Sequence, residues 1–138
     1  MTDPRTAPTA EDRRRRRAPA ALFRLAERHA ATDGARARQA GSATLLPQEA
    51  VRLVELLAAG TVGHLEGETR VDGEDLLAAL TLLPQVRAEL DETELGLLVM
   101  ARGRGLTWVQ IAEGLGLGSA QAAQQRHDRL AARRPEGG

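Results

Sequence analysis

The stretch from Leu106 to Leu130, LTWVQIAEGLGLGSAQAAQQRHDRL, constrains this chain more than any other. Thr107 is a good N-cap. Trp108, Ile111 and Leu115 recur at three- and four-residue spacing, so they share one face of a helix running from Trp108 to Gly114 or Leu115. Ala112 beside them is small enough for a second helix to cross closely. Gly116 accepts a positive φ where the chain must turn, Leu117 closes the turn, and Ser119 caps a second helix. In that second helix Ala123, His127 and Leu130 fall at i, i+4 and i+7, an inward face with His127 as a partly buried packing residue. The pattern predicts two short helices crossing through a tight turn, a helix-turn-helix.

The remainder can supply little except more helix. The only aromatic residues are Phe23 and Trp108, and Leu and Ala, both good helix formers, dominate. A chain of 138 residues can still bury a real core, here an aliphatic one. The expected fold class is all-α: a helical bundle with a C-terminal helix-turn-helix and a disordered basic N-terminal arm. Four regions are expected: an arm at 1–17, an acidic leucine-rich helical body at 18–104, the helix-turn-helix unit at 105–134 and a tail at 135–138.

The absence of cysteine excludes disulfides, zinc fingers and thiolate catalysis. No apolar run approaches the roughly 20 residues of a membrane span, so no membrane partner is expected and the location reads as cytoplasmic, in association with the nucleoid. No cofactor is expected, and the absence of a metal cluster or nucleophile–base spacing argues against an enzyme. All 19 basic residues are Arg, which suits bidentate contacts to phosphate and guanine. The net charge of zero conceals a segregation. Residues 1–40 hold ten Arg against five acids, residues 41–101 three against eleven, and residues 102–138 six against three. Two basic ends flanking an acidic body suit a protein that shows different faces to a polyanion and to a protein partner.

Taken in order, residues 1–17 have almost nothing apolar to repay their ordering, and five consecutive Arg at 13–17 read as a phosphate-gripping arm or a solvated tail. A first helix is predicted from Pro19 to about Thr32, with Ala21, Leu22, Leu25 and His29 on one face. His29 is expected at the surface or in the last turn, favourable against the helix dipole. Residues 33–44 read as a linker. A second helix is predicted from Pro47 to Gly60, with Val51, Val54, Leu57 and Ala58 as its stripe and Leu53 alongside. TVGHLEGETRVDG reads as a loop with room for a short hairpin, and its His64 stands too far from other ligands for a metal. A third helix is expected after Asp72, capped with Asp75 and carrying Leu76, Leu77, Leu80 and Leu83; Pro84 should kink or break it. A fourth is expected to start at Asp91 with Glu94 and run to about Arg102, with Leu95, Leu98 and Val99 inward and Leu97 joining them.

The outward face of the last helix carries Gln121, Gln125 and Asp128, flanked by Ala122 and Arg129 on one side and Gln124 on the other. Gln pairs bidentately with adenine and Arg with guanine or phosphate. Arg126, Arg133 and Arg134, with Arg104 in the preceding loop, are expected to hold phosphates and fix the register. The candidate DNA contacts are therefore Arg104, Thr107, Ser119, Gln121, Ala122, Gln124, Gln125, Arg126, Arg129 and Arg133.

Residues 75–132 resemble small actinobacterial helix-turn-helix proteins, some of them labelled as regulators of a small heat-shock protein gene. The matching residues are Gly105, Thr107, Trp108, Ile111, Ala112, Leu115, Gly116, Ser119, Gln121, Ala122, Ala123, Arg126, Arg129 and Leu130. The turn is also similar to that of sigma-factor region 4, with one extra residue, Gly118, before the capping serine. The resemblance implies DNA binding, with Ser119, Gln121, Gln125 and Arg126 on or near the reading helix. Pro84 and the pair Gln124–Gln125 depart from the pattern. The expected function is that of a DNA-binding transcriptional regulator or nucleoid-associated protein that inserts residues 119–132 into the major groove, as a homodimer joined through the body. The alternative is an adaptor of the transcription machinery whose acidic body binds a basic protein partner, with the helix-turn-helix as scaffold.

Overall fold

A computed structural model describes residues 6–32, 34–35 and 45–133. Expectations for residues 1–5, for most of the linker at 33–44, for Arg134 and for the tail lie outside the described residues. Among the described residues, α1 (Ala10–His29), α2 (Pro47–Ala59), α3 (Gly73–Gly103), α4 (Trp108–Leu115) and α5 (Ala120–Arg133) succeed one another. No strand occurs among the described residues, so the fold is all-α and the 61–72 loop contains no hairpin. No helix is long and apolar enough to cross a membrane.

The arginine run is helical, not the disordered arm expected, because its flanks cap it. The Asp12 N–H donates to Thr9 Oγ1 at 3.0 Å and the Thr9 N–H donates to Asp12 Oδ2 at 3.0 Å, a reciprocal capping box. Glu11 then takes Arg14 at 2.6 Å and Arg15 at 3.2 Å, which offsets the like-charge repulsion. The bond from Arg14, against the opposing effect of burial and with help from the charges of Arg14 and Arg15, brings the Glu11 carboxyl down to about 2. The helix passes through Pro19 and buries Ala18, Ala21, Leu25 and His29 along one face.

Helix α2 begins and ends where its punctuation says, with Pro47 in the first turn and Gly60 left-handed at φ +77°. It buries Ala50, Leu53, Val54 and Leu57, while Ala58 is exposed. Helix α3 starts with the expected box: the Asp75 N–H donates to Asp72 Oδ1 at 2.9 Å and the Asp72 N–H to Asp75 Oδ2 at 3.2 Å.

The helix does not stop at Pro84, nor does a new one begin at Asp91; α3 is a single helix of 31 residues. Proline withholds the donor that would reach the Leu80 carbonyl and crowds the turn before it, yet the helix continues through it; the next carbonyl, that of Thr81, receives the Arg14 guanidinium at 2.9 Å. Asp91 and Glu94 reach instead toward Arg133 and Arg126.

The chain divides into two compact units, one up to Val86 and one from Arg87 onward. The first packs Leu25 of α1, Ala50 and Val54 of α2, and Ala78, Ala79 and Leu82 of α3. Leu76, Leu77 and Leu80 face solvent at 45, 63 and 62 % exposure. The small alanines allow α3 to approach its neighbours, and the leucines are left outside. The second unit packs Leu95 and Leu98 of α3 with Ile111 and Ala112 of α4 and Ala123 and Leu130 of α5. Val99 and Leu97, expected inward, are exposed.

His29 is buried, not superficial. Its Nδ1 lies 3.3 Å from Glu68 Oε2 and its Nε2 lies 3.2 Å from Asp75 Oδ2. Asp75 also takes Arg24 at 2.9 Å and Arg28 at 2.8 Å. Burial pushes the Asp75 carboxyl up; the bonds from Arg28, His29 and the Asp72 N–H outweigh it and hold the group below its ordinary value. His64 accepts from the Val71 N–H at 3.1 Å and sets its ring edge-on to His29 with centroids 6.2 Å apart. No cluster suited to a metal ion occurs among the described residues.

Candidate nucleic-acid interface

The interface is built on how α4 and α5 are joined. Thr107 caps α4: its Oγ1 accepts from the Gln110 N–H at 3.1 Å, and its own N–H donates to Gln110 Oε1 at 2.8 Å. Gly116 ends α4 at φ +69°, a backbone state that costs any residue with a Cβ. The Leu117 N–H returns to the Ala112 carbonyl at 2.8 Å, and Ser119 Oγ accepts from the Ala122 N–H at 3.1 Å to start α5. Gly116→Ala should cost about 1 kcal/mol of stability, read as a shift of the urea midpoint monitored at Trp108; an unchanged midpoint would show that the turn does not depend on a left-handed residue.

Ala123 is fully buried and Leu130 nearly so, against Ile111 and Ala112. Trp108 is half-buried and stands edge-on to His127, with centroids 5.6 Å apart. Arg102, which no local pattern singles out, also stacks on Trp108. Its guanidinium carbon lies 4.8 Å from the Trp108 ring centre, and Nη1 donates to the Leu106 carbonyl at 2.9 Å. It thereby ties the end of α3 to the start of α4. Leu115, expected in the core with Trp108 and Ile111, is 39 % exposed.

These contacts turn the other side of α5 to solvent. Gln121, Gln124, Gln125 and Arg129 are exposed, and among the described residues their side chains have no hydrogen-bond or ion-pair partner. Ala122 sits half-buried beside them, and Asp128 is exposed with Oδ1 at 3.1 Å from His127 Nδ1. Arg104 is exposed in the turn after α3, and Arg133 lies at the end of α5, 3.8 Å from Asp91.

Two expected contacts are otherwise engaged. The Arg126 guanidinium is paired in two-pronged fashion with Glu94 of α3, Nη2 to Oε1 at 2.9 Å. It anchors α5 to α3 instead of standing free for a phosphate; the partner lies 32 positions away, beyond any local pattern. The polar atoms of Thr107 are taken up by its capping box with Gln110. The remaining set, Gln121, Gln124, Gln125 and Arg129 with Ser119 at the start and Arg133 at the end, is brought to one side of one helix. Such a surface offers amide pairs and a guanidinium at helical spacing.

No protein-family model, curated protein or solved structure matches this chain.

Proposed function

We propose that the protein binds double-stranded DNA by laying α5 in the major groove, as a transcriptional regulator or nucleoid-associated protein. One observation carries the reading. A 14-residue helix is fixed through Ala123 and Leu130, while Gln121, Gln124, Gln125 and Arg129 stand free on its open side. Gln121 and Gln125 are one turn apart and suit adjacent base edges. Arg129 and Arg133 come next toward the helix end and suit the backbone on one flank. Arg126 acts as a positioning residue, holding the angle of α5 through Glu94. The resemblance of residues 75–132 to small actinobacterial helix-turn-helix proteins points the same way.

The test is fluorescence anisotropy on genomic DNA fragments at two salt concentrations, with wild type beside the Gln121→Ala/Gln125→Ala double variant. Two or three phosphate contacts predict an affinity loss of about tenfold to fortyfold between 50 and 200 mM salt. The double variant should lose discrimination between fragments, about 1–3 kcal/mol per bidentate pair removed, and keep most of its salt-dependent binding. Absence of binding by wild type at low salt would overturn the reading.

A second reading places the working surface on the body. It is favoured by Leu76, Leu77 and Leu80, exposed on α3. Its acids are less available than composition suggests, since Glu68, Asp72 and Asp75 are engaged with His29, Arg24 and Arg28. A partner retained by wild type and released by Leu77→Asp/Leu80→Asp, with no DNA binding in either, would select this reading.

A further inference from the structure

Within the second unit, the side of α3 turned away from α4 and α5 is open and carries large apolar residues, with Glu89 and Glu92 beside them. Leu90 is 67 %, Leu97 59 % and Met100 52 % exposed. With Thr93 they recur at spacings of three, four and three, the seam spacing of paired helices. The Thr93 hydroxyl donates to the Glu89 carbonyl at 3.0 Å, so its donor is satisfied within α3. Beside the seam lies a groove of about 490 Å³ between Glu92 and Met100, with Gly96 and Val99 along it. A Cβ added at Gly96 would meet nothing within 4 Å, so neither packing nor φ explains a glycine inside this helix.

We infer that this face is the site of self-association: a second copy of the chain packs its own α3 across Gly96, antiparallel to the first. The area supports a second copy. The exposed seam amounts to on the order of 400 Å² of apolar surface per protomer, and two such faces with their polar rims reach the roughly 1,000 Å² that a specific interface requires. The seam repeats itself and is therefore complementary to its own image, as a two-fold interface demands.

The charges set the direction. Glu92 borders the N-terminal end of the groove and Arg104 lies just beyond its C-terminal end. A parallel pair brings like charges together; an antiparallel pair sets each Glu92 toward the other copy's Arg104. Arg104 thereby receives a protein partner instead of the phosphate expected from the sequence. The inference rests on the DNA-binding reading only for its purpose, since two copies carry two reading helices.

Sedimentation equilibrium of the full chain without DNA tests it, so its failure is distinguishable from failure of the DNA reading. Wild type should dimerise with a Kd below about 100 µM. Gly96→Gln should weaken dimerisation at least about tenfold while raising the thermal midpoint of the folded chain, because the side chain fills the groove and glutamine favours helix. Arg104→Glu should weaken it as well, and Arg104→Glu/Glu92→Arg should restore it. A wild type that stays monomeric, or a Gly96→Gln variant that dimerises like wild type, overturns the interface. Failure of the double exchange to restore what the single change removes overturns the antiparallel arrangement proposed.

Discussion

Asparagine in place of Asp75 should cost the protein about 3 kcal/mol or more of folding stability. The side chain of Asp75 is fully enclosed and receives Arg24, Arg28 and His29. Removing its charge leaves those donors gathered about a neutral amide, and one amide nitrogen would face groups that themselves donate. Asp72 still contacts Arg24 and Arg28, which keeps the loss at the lower end of the range for a broken buried pair. The loss should also depend on pH. The Asp75 carboxyl sits below its ordinary value of 3.8 in the folded chain. Its contribution is therefore fully present above that value and is lost as pH falls through the folded-state pKa. Urea midpoints measured from neutral to acid pH should fall in wild type and fall less steeply in Asp75→Asn. A neutral-pH change below about 1 kcal/mol would show that this network is not what secures the first unit.

Ala123→Glu should unfold the second unit or destabilise it by about 3 kcal/mol or more. Ala123 has no exposure and lies among Leu95, Leu98, Ile111 and Leu130. A carboxylate there must be desolvated or take up a proton, and the longer side chain must also displace a packed neighbour. The chain contains a single tryptophan, and it lies in this unit against His127 and Arg102. Its emission therefore reports this unit alone, while far-ultraviolet circular dichroism reports all the helices. The emission should shift to the solvent-exposed value in the variant at urea concentrations where wild type is unaffected. Coincident transitions in the two proteins would contradict the packing of α5 through Ala123.

Local chemistry decides which features were legible in the sequence. Pro47 and Gly60 bound α2, Asp72 and Asp75 start α3, and Thr107, Gly116 and Ser119 mark the turn, because each acts within four residues of itself. The inward face of α5 was readable from three residues at helical spacing. The faces of α3 were not: with leucine at 76, 77, 80, 82, 83, 90, 95, 97 and 98, several stripes satisfy the periodicity, and the choice belongs to the alanines that permit close approach. Pro84 lies inside α3 although its missing donor deprives the Leu80 carbonyl, and nothing within four residues of it signals that the helix continues. The arginine run misled because composition outweighed the Thr9–Asp12 box. At the candidate interface, Gln121, Gln124, Gln125 and Arg129 were readable as outward positions, whereas the capture of Arg126 by Glu94 required the tertiary structure.

The grip of Arg14 on the Thr81 carbonyl also bears on how this chain is handled. Trypsin cuts after arginine, and residues 13–17 offer it five consecutive sites on the exposed beginning of a helix. A nick there looks like the loss of a dispensable tail. A cut after Arg14 or any later arginine of the run removes the guanidinium that holds the Thr81 carbonyl, so the damage is felt within α3, far along the chain from the cleaved bond.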